Sequence, residues 1–281
     1  MKRIAMILTG LCFALTGFTQ TDSTLTTEKA ADTIRIGGIV IIKKGGKNDD
    51  DSTGSSSVSI SRKNRRNYKP TNVSTNWWIV DLGINQMRDN TNYAQSIANG
   101  YLAPGANEDW FDQKNGKSVN VNIWAFMQRL NILKHVVNLK YGLGIELNNY
   151  RYRENIKFQD SRNPLVIMDA ITYRKNKLAA DYVTVPMMLN FNFTPNRKSG
   201  FGFSAGASVG YLYSARQKTI SNEFGKRKDR EDFDLRDWKV SYIGELSLGP
   251  VKFYGSYATQ SIFKNALDHT PYNVGFRLSS W

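Results

Sequence analysis

The chain has 281 residues, of which 38 are Lys or Arg and 24 are Asp or Glu, so its formal net charge is +14. Its only cysteine, Cys12, lies in an apolar N-terminal run, so disulfides, thiol catalysis and cysteine-ligated metal sites are excluded beyond that run. No later segment has the 18 or more consecutive apolar residues of a spanning helix, and the mean hydropathy is -0.45.

Residues 1–20 have the pattern of a secretory signal peptide. Two basic residues precede an apolar run from Ile4 to about Leu15, and small and polar residues follow. The run is too short to span a membrane, and Cys12 lies within it rather than at a lipoprotein cleavage point. We therefore predict export, with cleavage between Gly17 and Gln20.

Residues 21–76 have the composition of a flexible extension, which we expect in the periplasm. Thr33–Ile36 and Ile39–Ile42 flank two glycines and predict a short hairpin. A lone hairpin is marginal in water, although it could add a strand to a partner's sheet. The charged and Ser/Gly-rich remainder, which includes a basic patch at Arg62–Arg66, is too polar to bury a core.

The clearest strand runs from Val137 to Tyr150. Its odd positions are apolar as far as Leu147, and its even positions up to Asn148 are polar, charged or glycine, so the two faces differ in polarity. The run is roughly twice the usual strand length and is long enough for a tilted strand to cross a bilayer. Because an open sheet edge in lipid would leave backbone groups unpaired, such a strand belongs to a closed barrel.

Eight segments of this kind predict a barrel over residues 77–281. Their expected positions are Trp77–Arg88, Ser118–Arg129, Val137–Tyr150, Ala180–Phe193, Gly200–Arg216, Arg236–Leu248, Val251–Thr259 and a last strand from about Thr270, with Tyr272 to Leu278 as its core and Trp281 at its end. The connections alternate long and short, the order of bacterial outer-membrane barrels with long outer loops and short periplasmic turns. The predicted fold is all-β, an eight-stranded antiparallel transmembrane β-barrel with a flexible N-terminal extension.

Two local features are predicted within these strands. Strict alternation places Met127 on the outward face of the second strand, with Trp124 and Phe126 inward. Pro186 lies in the middle of the fourth strand and cannot donate a ladder hydrogen bond, so we expect a bulge there.

The segment from Tyr182 to Leu189, with Tyr182 and Pro186 at its defining positions, resembles a strand of the outer-membrane β-barrel domain family of Gram-negative bacteria. Asp81–Asn85 and the aromatic C-terminus are also similar, so the resemblance extends over about Trp77–Trp281. It implies an outer-membrane location and insertion by the barrel-insertion machinery. The PorT-like members of this broad group are linked to protein secretion.

Seven charged residues are predicted to face the barrel interior. An eight-stranded barrel is just filled by its side chains, so these charges must pair. We interpret them as a structural polar plug, with a gated ion path as the alternative. They are Asp81, Lys140, Glu146, Lys239, Glu245, Lys252 and Arg277.

An enzymatic alternative depends on the two histidines. His135 falls in a predicted periplasmic turn, whereas His269 falls in the last outer loop, near Ser261, Asp268 and Thr270. A Ser-His pair at the outer rim would suit a lipid-modifying hydrolase. No cluster has metal-ligand spacing and no glycine-rich phosphate loop follows a strand, so we predict a non-enzyme without metal or cofactor.

The positive charge is distributed without a nucleic-acid-binding motif. Basic residues lie in the linker and in outer loops such as Arg151–Arg153 and Lys226–Arg230. We expect outer-membrane lipid and lipopolysaccharide as partners, and other envelope or secretion proteins as further candidates. The predicted role is structural or binding, through the outer loops or the periplasmic arm; the alternatives are a PorT-like secretion component, a lipid-modifying enzyme and a small channel.

Overall fold

The computed structural model describes residues 33–36, 39–42, 70–159, 163–197 and 200–279. The chain divides into two compact units, residues 1–66 and 67–281. The predicted signal peptide, most of the predicted linker and the terminal Trp281 lie outside the described residues.

The strands of the chain, in order, are β1 (Thr33–Ile36), β2 (Ile39–Ile42), β3 (Val73–Asp89), β4 (Val119–Leu133), β5 (Val137–Tyr152), β6 (Ile156–Phe158), β7 (Val166–Met168), β8 (Tyr173–Asn192), β9 (Phe201–Ser221), β10 (Gly225–Asp229), β11 (Trp238–Leu248), β12 (Val251–Ala258) and β13 (His269–Leu278). A short helix, α1 (Tyr93–Ala98), and a 3-10 turn (Glu108–Phe111) lie between β3 and β4. In the described part of the chain, no helix has the length and apolar composition needed to cross a membrane.

In the first unit, β1 and β2 pair as an antiparallel two-stranded sheet. The two strands have the bounds expected from the sequence.

In the second unit, eight strands form a closed antiparallel ring in the order β9, β11, β12, β13, β3, β4, β5, β8 and back to β9. The predicted eight-stranded barrel is therefore confirmed. The turns after β4, β8 and β11 are short and lie at one end of the barrel, here called the turn end. The connections after β3, β5, β9 and β12 are longer and lie at the opposite end, here called the loop end.

Several strands extend further than alternation alone predicted, whereas β11 and β12 are slightly shorter. β3 begins at Val73, before the expected Trp77, and β8 begins at Tyr173, within the expected loop. β9 continues to Ser221, and its last residues, at the loop end, pair with β10, which is not one of the eight ring strands. The expected boundaries were wrong here because these extensions are mostly polar and have only isolated apolar residues, such as Leu178 and Ile220, instead of a regular apolar alternation.

The prediction that Met127 faces outward was wrong. A bulge between Trp124 and Phe126 inserts one extra residue into β4 and reverses the phase of the strand beyond it. Met127 is fully buried in the interior, and the Phe126 ring lies on the outer face, 5.9 Å from the ring of Trp77.

The bulge expected at Pro186 is also absent from the structure. Pro186 stays in register with Ser208 on β9. On the other side, β8 and β5 are paired at Met187–Tyr141 and again at Thr184–Gly144, without a register shift but with no pairing in between. The missing proline N–H is therefore accommodated by a gap in the ladder.

Candidate functional site

The barrel interior is the first candidate site, and it contains all seven charged residues predicted to face inward. Each has 7% or less of its surface exposed. Six of them form two ion-paired groups, and the seventh, Lys252, lies near the turn end. They are Asp81, Lys140, Glu146, Lys239, Glu245, Lys252 and Arg277.

The first group is centred on Arg277 of β13. Its Nε and Nη2 atoms each donate to a carboxylate oxygen of Asp81 at 2.7 Å, and its Nη1 donates to Glu245. The second oxygen of Glu245 accepts a hydrogen bond from Lys140 Nζ at 2.6 Å. Two anions and two cations from four strands thus form one buried chain, in which each charge has a partner.

Neutral donors complete the surroundings of Asp81. The indole Nε1 of Trp124 donates to Asp81 Oδ2 at 2.7 Å, and Asn122 Nδ2 donates to the same oxygen at 3.3 Å. The guanidinium of Arg277 also lies 5.7 Å from the centre of the Trp124 ring. Alternation placed Trp124 inside, but its role as a donor depends on register and was not predicted.

The second group lies closer to the loop end and is centred on Glu146 of β5. Lys239 Nζ donates to Glu146 Oε1 at 2.5 Å, Asn148 Nδ2 donates to the same oxygen at 3.2 Å, and Thr184 Oγ1 donates to Oε2 at 3.4 Å. The Lys239 ammonium also lies 4.7 Å from the centre of the Tyr182 ring. Tyr182, one of the two motif residues, is thus buried beside this ion pair.

Amide and hydroxyl groups occupy the interior around the two groups. Asn120 Nδ2 donates to the side chains of both Asn122 and Asn148, and Tyr254 donates to Asn120 at 2.5 Å. A cavity of about 30 Å³ between the two groups has room for one or two waters. The arrangement is that of a filled polar core.

Lys252 lies at the turn end, where Nζ donates to Ser279 Oγ at 2.5 Å. It lines a small cavity of about 40 Å³ together with Arg129, Lys140 and Arg197. Positive side chains therefore predominate at this mouth of the barrel.

At the loop end, a layer of packed apolar side chains covers the barrel; we call it the loop layer. All four long connections contribute to it, and their residues rest on Tyr150, Tyr152 and Tyr182 of the barrel wall. The Phe158 and Phe263 rings stack with centres 5.8 Å apart. The buried loop residues are Leu102, Ala106, Phe111, Ile156, Phe158, Val166, Phe233, Leu235, Ile262, Phe263, Ala266 and Leu267. The sequence analysis did not find this layer.

His269, the candidate catalytic residue, is buried within the loop layer with 2% of its surface exposed. It is the first residue of β13, and its ring lies edge-on to Phe111 and Phe263, with centres 5.1 and 5.7 Å away. Its Nε2 lies 3.2 Å from Asp89 Oδ2. The ring is thus in contact with aromatic side chains and a carboxylate.

Ser261 lies near His269, but its hydroxyl is used by the backbone. Its Oγ donates to the Leu267 carbonyl at 2.9 Å and accepts hydrogen bonds from the N–H groups of Phe263 and His269. His135 lies in the turn between β4 and β5, as predicted. Within the described ranges, no three of His, Cys, Asp and Glu are grouped so that they could hold a metal ion.

Asp89 is held ionised at the edge of the loop layer, outside the apolar band of the barrel. Burial acts to raise the pKa of this carboxyl, but the nearby His269 ring and hydrogen bonds from Thr91 and Tyr93 lower it well below its usual range. Burial, followed by the hydrogen bond to Asp89, raises the pKa of the Tyr93 hydroxyl far above its usual range. These contacts tie β3, β13 and the first long connection together.

Outside the ring, the side chains of the barrel strands form an apolar band. From Val183 on β8 to Phe193, the residue after its end, the outward positions are all apolar, and Trp, Tyr and Phe residues are exposed on the same surface of other strands. A band of eleven residues at about 3.3 Å per residue, tilted by about 40°, is about 25 Å tall, the thickness that outer-membrane barrels present to lipid.

Residues 75–264 match the family model described as outer membrane protein beta-barrel domain. The chain belongs to this family. The family, the closed ring and the apolar band place the protein in an outer membrane. A search of curated proteins found no similar sequence.

Proposed function

We propose that this protein is a closed, non-enzymatic outer-membrane barrel with a structural or binding role, which it performs through its outer loops. The observation that carries the proposal is that the barrel interior is filled by side chains and that its loop end is covered. The interior charges pair with each other, and the loop layer covers the end that faces outward in barrels of this topology. Such an interior favours a rigid plug over an ion path.

Bilayer conductance tests the closed state. The full-length chain, folded into planar lipid bilayers, is expected to give no steady conductance steps, while a porin in the same bilayers shows that insertion is detected. Discrete and stable steps from the folded chain would contradict a closed barrel.

The surroundings of His269 support the non-enzymatic part of the proposal. A general base needs access to a nucleophile and a substrate, whereas only 2% of the His269 surface is exposed and its ring packs against Phe111 and Phe263. The Ser261 hydroxyl is hydrogen-bonded to backbone groups. We expect the same lipid species from cells with the parent chain, with His269→Ala and without the protein. A lipid modification that is present with the parent chain and absent both without the protein and with His269→Ala would contradict this part of the proposal.

A second candidate is a component of a protein secretion apparatus, for which the β1–β2 hairpin is the favouring observation. A two-stranded sheet has an open edge on each strand, and such edges accept a partner strand. A periplasmic position of this extension is part of the proposal. It is supported by the short periplasmic turns of barrels of this class, because β3 starts at the turn end.

Deleting residues 33–42 tests the secretion role, with deletion of residues 47–56 of the extension as a control of equal length. Both deletions stop before Val73 and leave β3 intact. If the hairpin serves secretion, only the first deletion reduces export of secreted proteins, while both barrels still insert. Equal export by both variants would remove this candidate.

A further inference from the structure

At the loop end, four neighbouring strands present basic residues directly opposite one another. Arg151 of β5 pairs with Lys177 of β8, Lys177 pairs with Lys218 of β9, and Lys218 pairs with Lys228 of β10. We call these four residues the basic row. Lys175 and Lys226 flank Ile220 two residues further along the same strands, on the same face.

The basic row faces away from the barrel axis. The residues beside it in sequence, Asn176 and Gln217, are buried and hydrogen-bonded to each other, so they point inward. A bulge between Asp181 and Tyr182 shifts the register of β9 against β8, and this shift places Lys218 beside Lys177 on the outer face. The row therefore lies on the same outer surface as the lipid-facing band, closer to the loop end.

The row has an electrostatic cost within the protein, because like charges directly opposite each other in a sheet are destabilising. Partial burial, followed by the charges of Lys175, Arg216 and Lys218, lowers the pKa of Lys177 to about 8. The pKa of Lys228 is lowered by its neighbours, Lys226 first. Across the described part of the chain, Arg216 forms an ion pair with Asp181, but no member of the row has a carboxylate within 4.0 Å. The row's hydrogen-bond partners are neutral: Lys177 Nζ donates to Asn149 Oδ1 at 2.5 Å, and Arg151 Nη2 donates to the Arg174 carbonyl at 3.2 Å.

The height of the row indicates what it meets. The apolar band of β8 ends at Val183, and Lys177 lies six residues further along the strand, about 15 Å above the band at the usual rise and tilt. This level is beyond the hydrocarbon, where the head groups of the outer leaflet lie. Lysine side chains are long enough to bend toward that surface.

We propose that the basic row binds the phosphate groups of anionic glycolipids in the outer leaflet. Lysine binds phosphate as a point charge, and a line of four cations matches a surface that carries repeated phosphates. A lipid is favoured over a soluble polyanion because the row faces sideways, directly above the lipid-facing band. The inference rests on the outer-membrane location and is independent of whether the barrel conducts.

The test compares two triple variants of the full-length chain. Lys177→Gln, Lys218→Gln and Lys228→Gln remove three charges of the row, whereas Lys114→Gln, Lys117→Gln and Lys157→Gln remove three charges from other outer connections. Each chain is folded in zwitterionic micelles and titrated with diphosphoryl lipid A. Each lysine near an anionic surface contributes about fivefold to the affinity, so the row variant should bind lipid A on the order of 100-fold more weakly than the parent. The control variant should keep most of its affinity.

Heat-dependent gel migration separates lipid binding from a purely structural role. Without lipid A, the row variant should resist heat at least as well as the parent, because its like charges are gone; with lipid A, only the parent and the control should gain resistance. Equal gains by all three chains would overturn the proposal. So would loss of binding to soluble polyphosphate in the row variant with unchanged binding to lipid A, since that result would assign the row to a soluble anion.

Discussion

Arg277 on the last barrel strand binds Asp81 on the first through two parallel hydrogen bonds of 2.7 Å. The two residues are direct partners in the β13–β3 ladder, although 196 positions separate them in sequence. The seam that closes the ring is thus joined inside by a bidentate ion pair as well as by the backbone ladder. Because Glu245 and Trp124 bind the same pair, closure and interior packing depend on each other.

We expect Asp81→Asn to destabilise the folded barrel by about 3 to 5 kcal/mol, because it leaves Arg277 buried with a single anionic partner. The measurement is the temperature at which the compact gel band is lost. Asp232→Asn is the control. Asp232 pairs with Lys264 at a site where the two side chains are 56% and 36% exposed, so this variant should lower the free energy of unfolding by less than about 1 kcal/mol. Equal losses from both variants would show that the seam pair does not stabilise closure.

The Lys239–Glu146 pair is suited to a double-mutant cycle. Glu146→Gln and Lys239→Met each leave one buried charge without its partner, whereas the combined variant leaves none. We expect the double variant to be more stable than the sum of the single losses by about 1 to 3 kcal/mol. Additive losses in urea unfolding from micelles would mean that the two charges do not interact.

Acid should weaken the loop layer through Asp89. The pKa of Asp89 is lower in the folded protein than in the unfolded chain, so its contribution is present above the ordinary carboxyl pKa of about 3.9 and is lost as the pH falls below that value. We expect Asp89→Asn to reduce stability at neutral pH and to flatten the acid limb of the stability curve. Parallel curves for parent and variant below pH 5 would refute this assignment.

Two glycines of the wall should differ sharply in their tolerance of a methyl group. A Cβ on Gly206 would collide with the Met187 carbonyl and lie 2.6 Å from the Met188 Cα, whereas a Cβ on Gly244 would meet only the Ser204 carbonyl at 3.9 Å. We expect Gly206→Ala to cost about 1 to 3 kcal/mol and Gly244→Ala less than about 0.5 kcal/mol. Thermal gel shifts of the two variants decide the point, and similar midpoints would contradict it.

The ring itself could be predicted because its physical cause is local. Each strand faces lipid on one side and a polar interior on the other, so alternation such as that of Val137 to Tyr150 is written into the sequence. The same alternation identified every charged residue of the interior groups. It could not pair them, because partners such as Arg277 and Asp81 are set by the register between distant strands.

Two other features had no periodic signal. A single extra residue at Ala125 reverses the faces of β4 beyond it, and nothing in the apolar pattern distinguishes this bulge from a regular strand. The loop layer is built from apolar residues such as Leu102 and Phe263, which are isolated among polar neighbours and come together only when the ring brings its four connections to one end.

The wall of this barrel is uneven in height. β9 has 21 residues and carries β10 beside it, whereas β12 has 8. A molecule that diffuses along the leaflet therefore meets a tall, charged flank at β8 and β9 and a low, apolar flank at β12, two strands from β9 around the ring. The barrel is therefore asymmetric around its axis in the plane of the membrane, and neighbouring molecules meet a different surface depending on the side from which they pack against it.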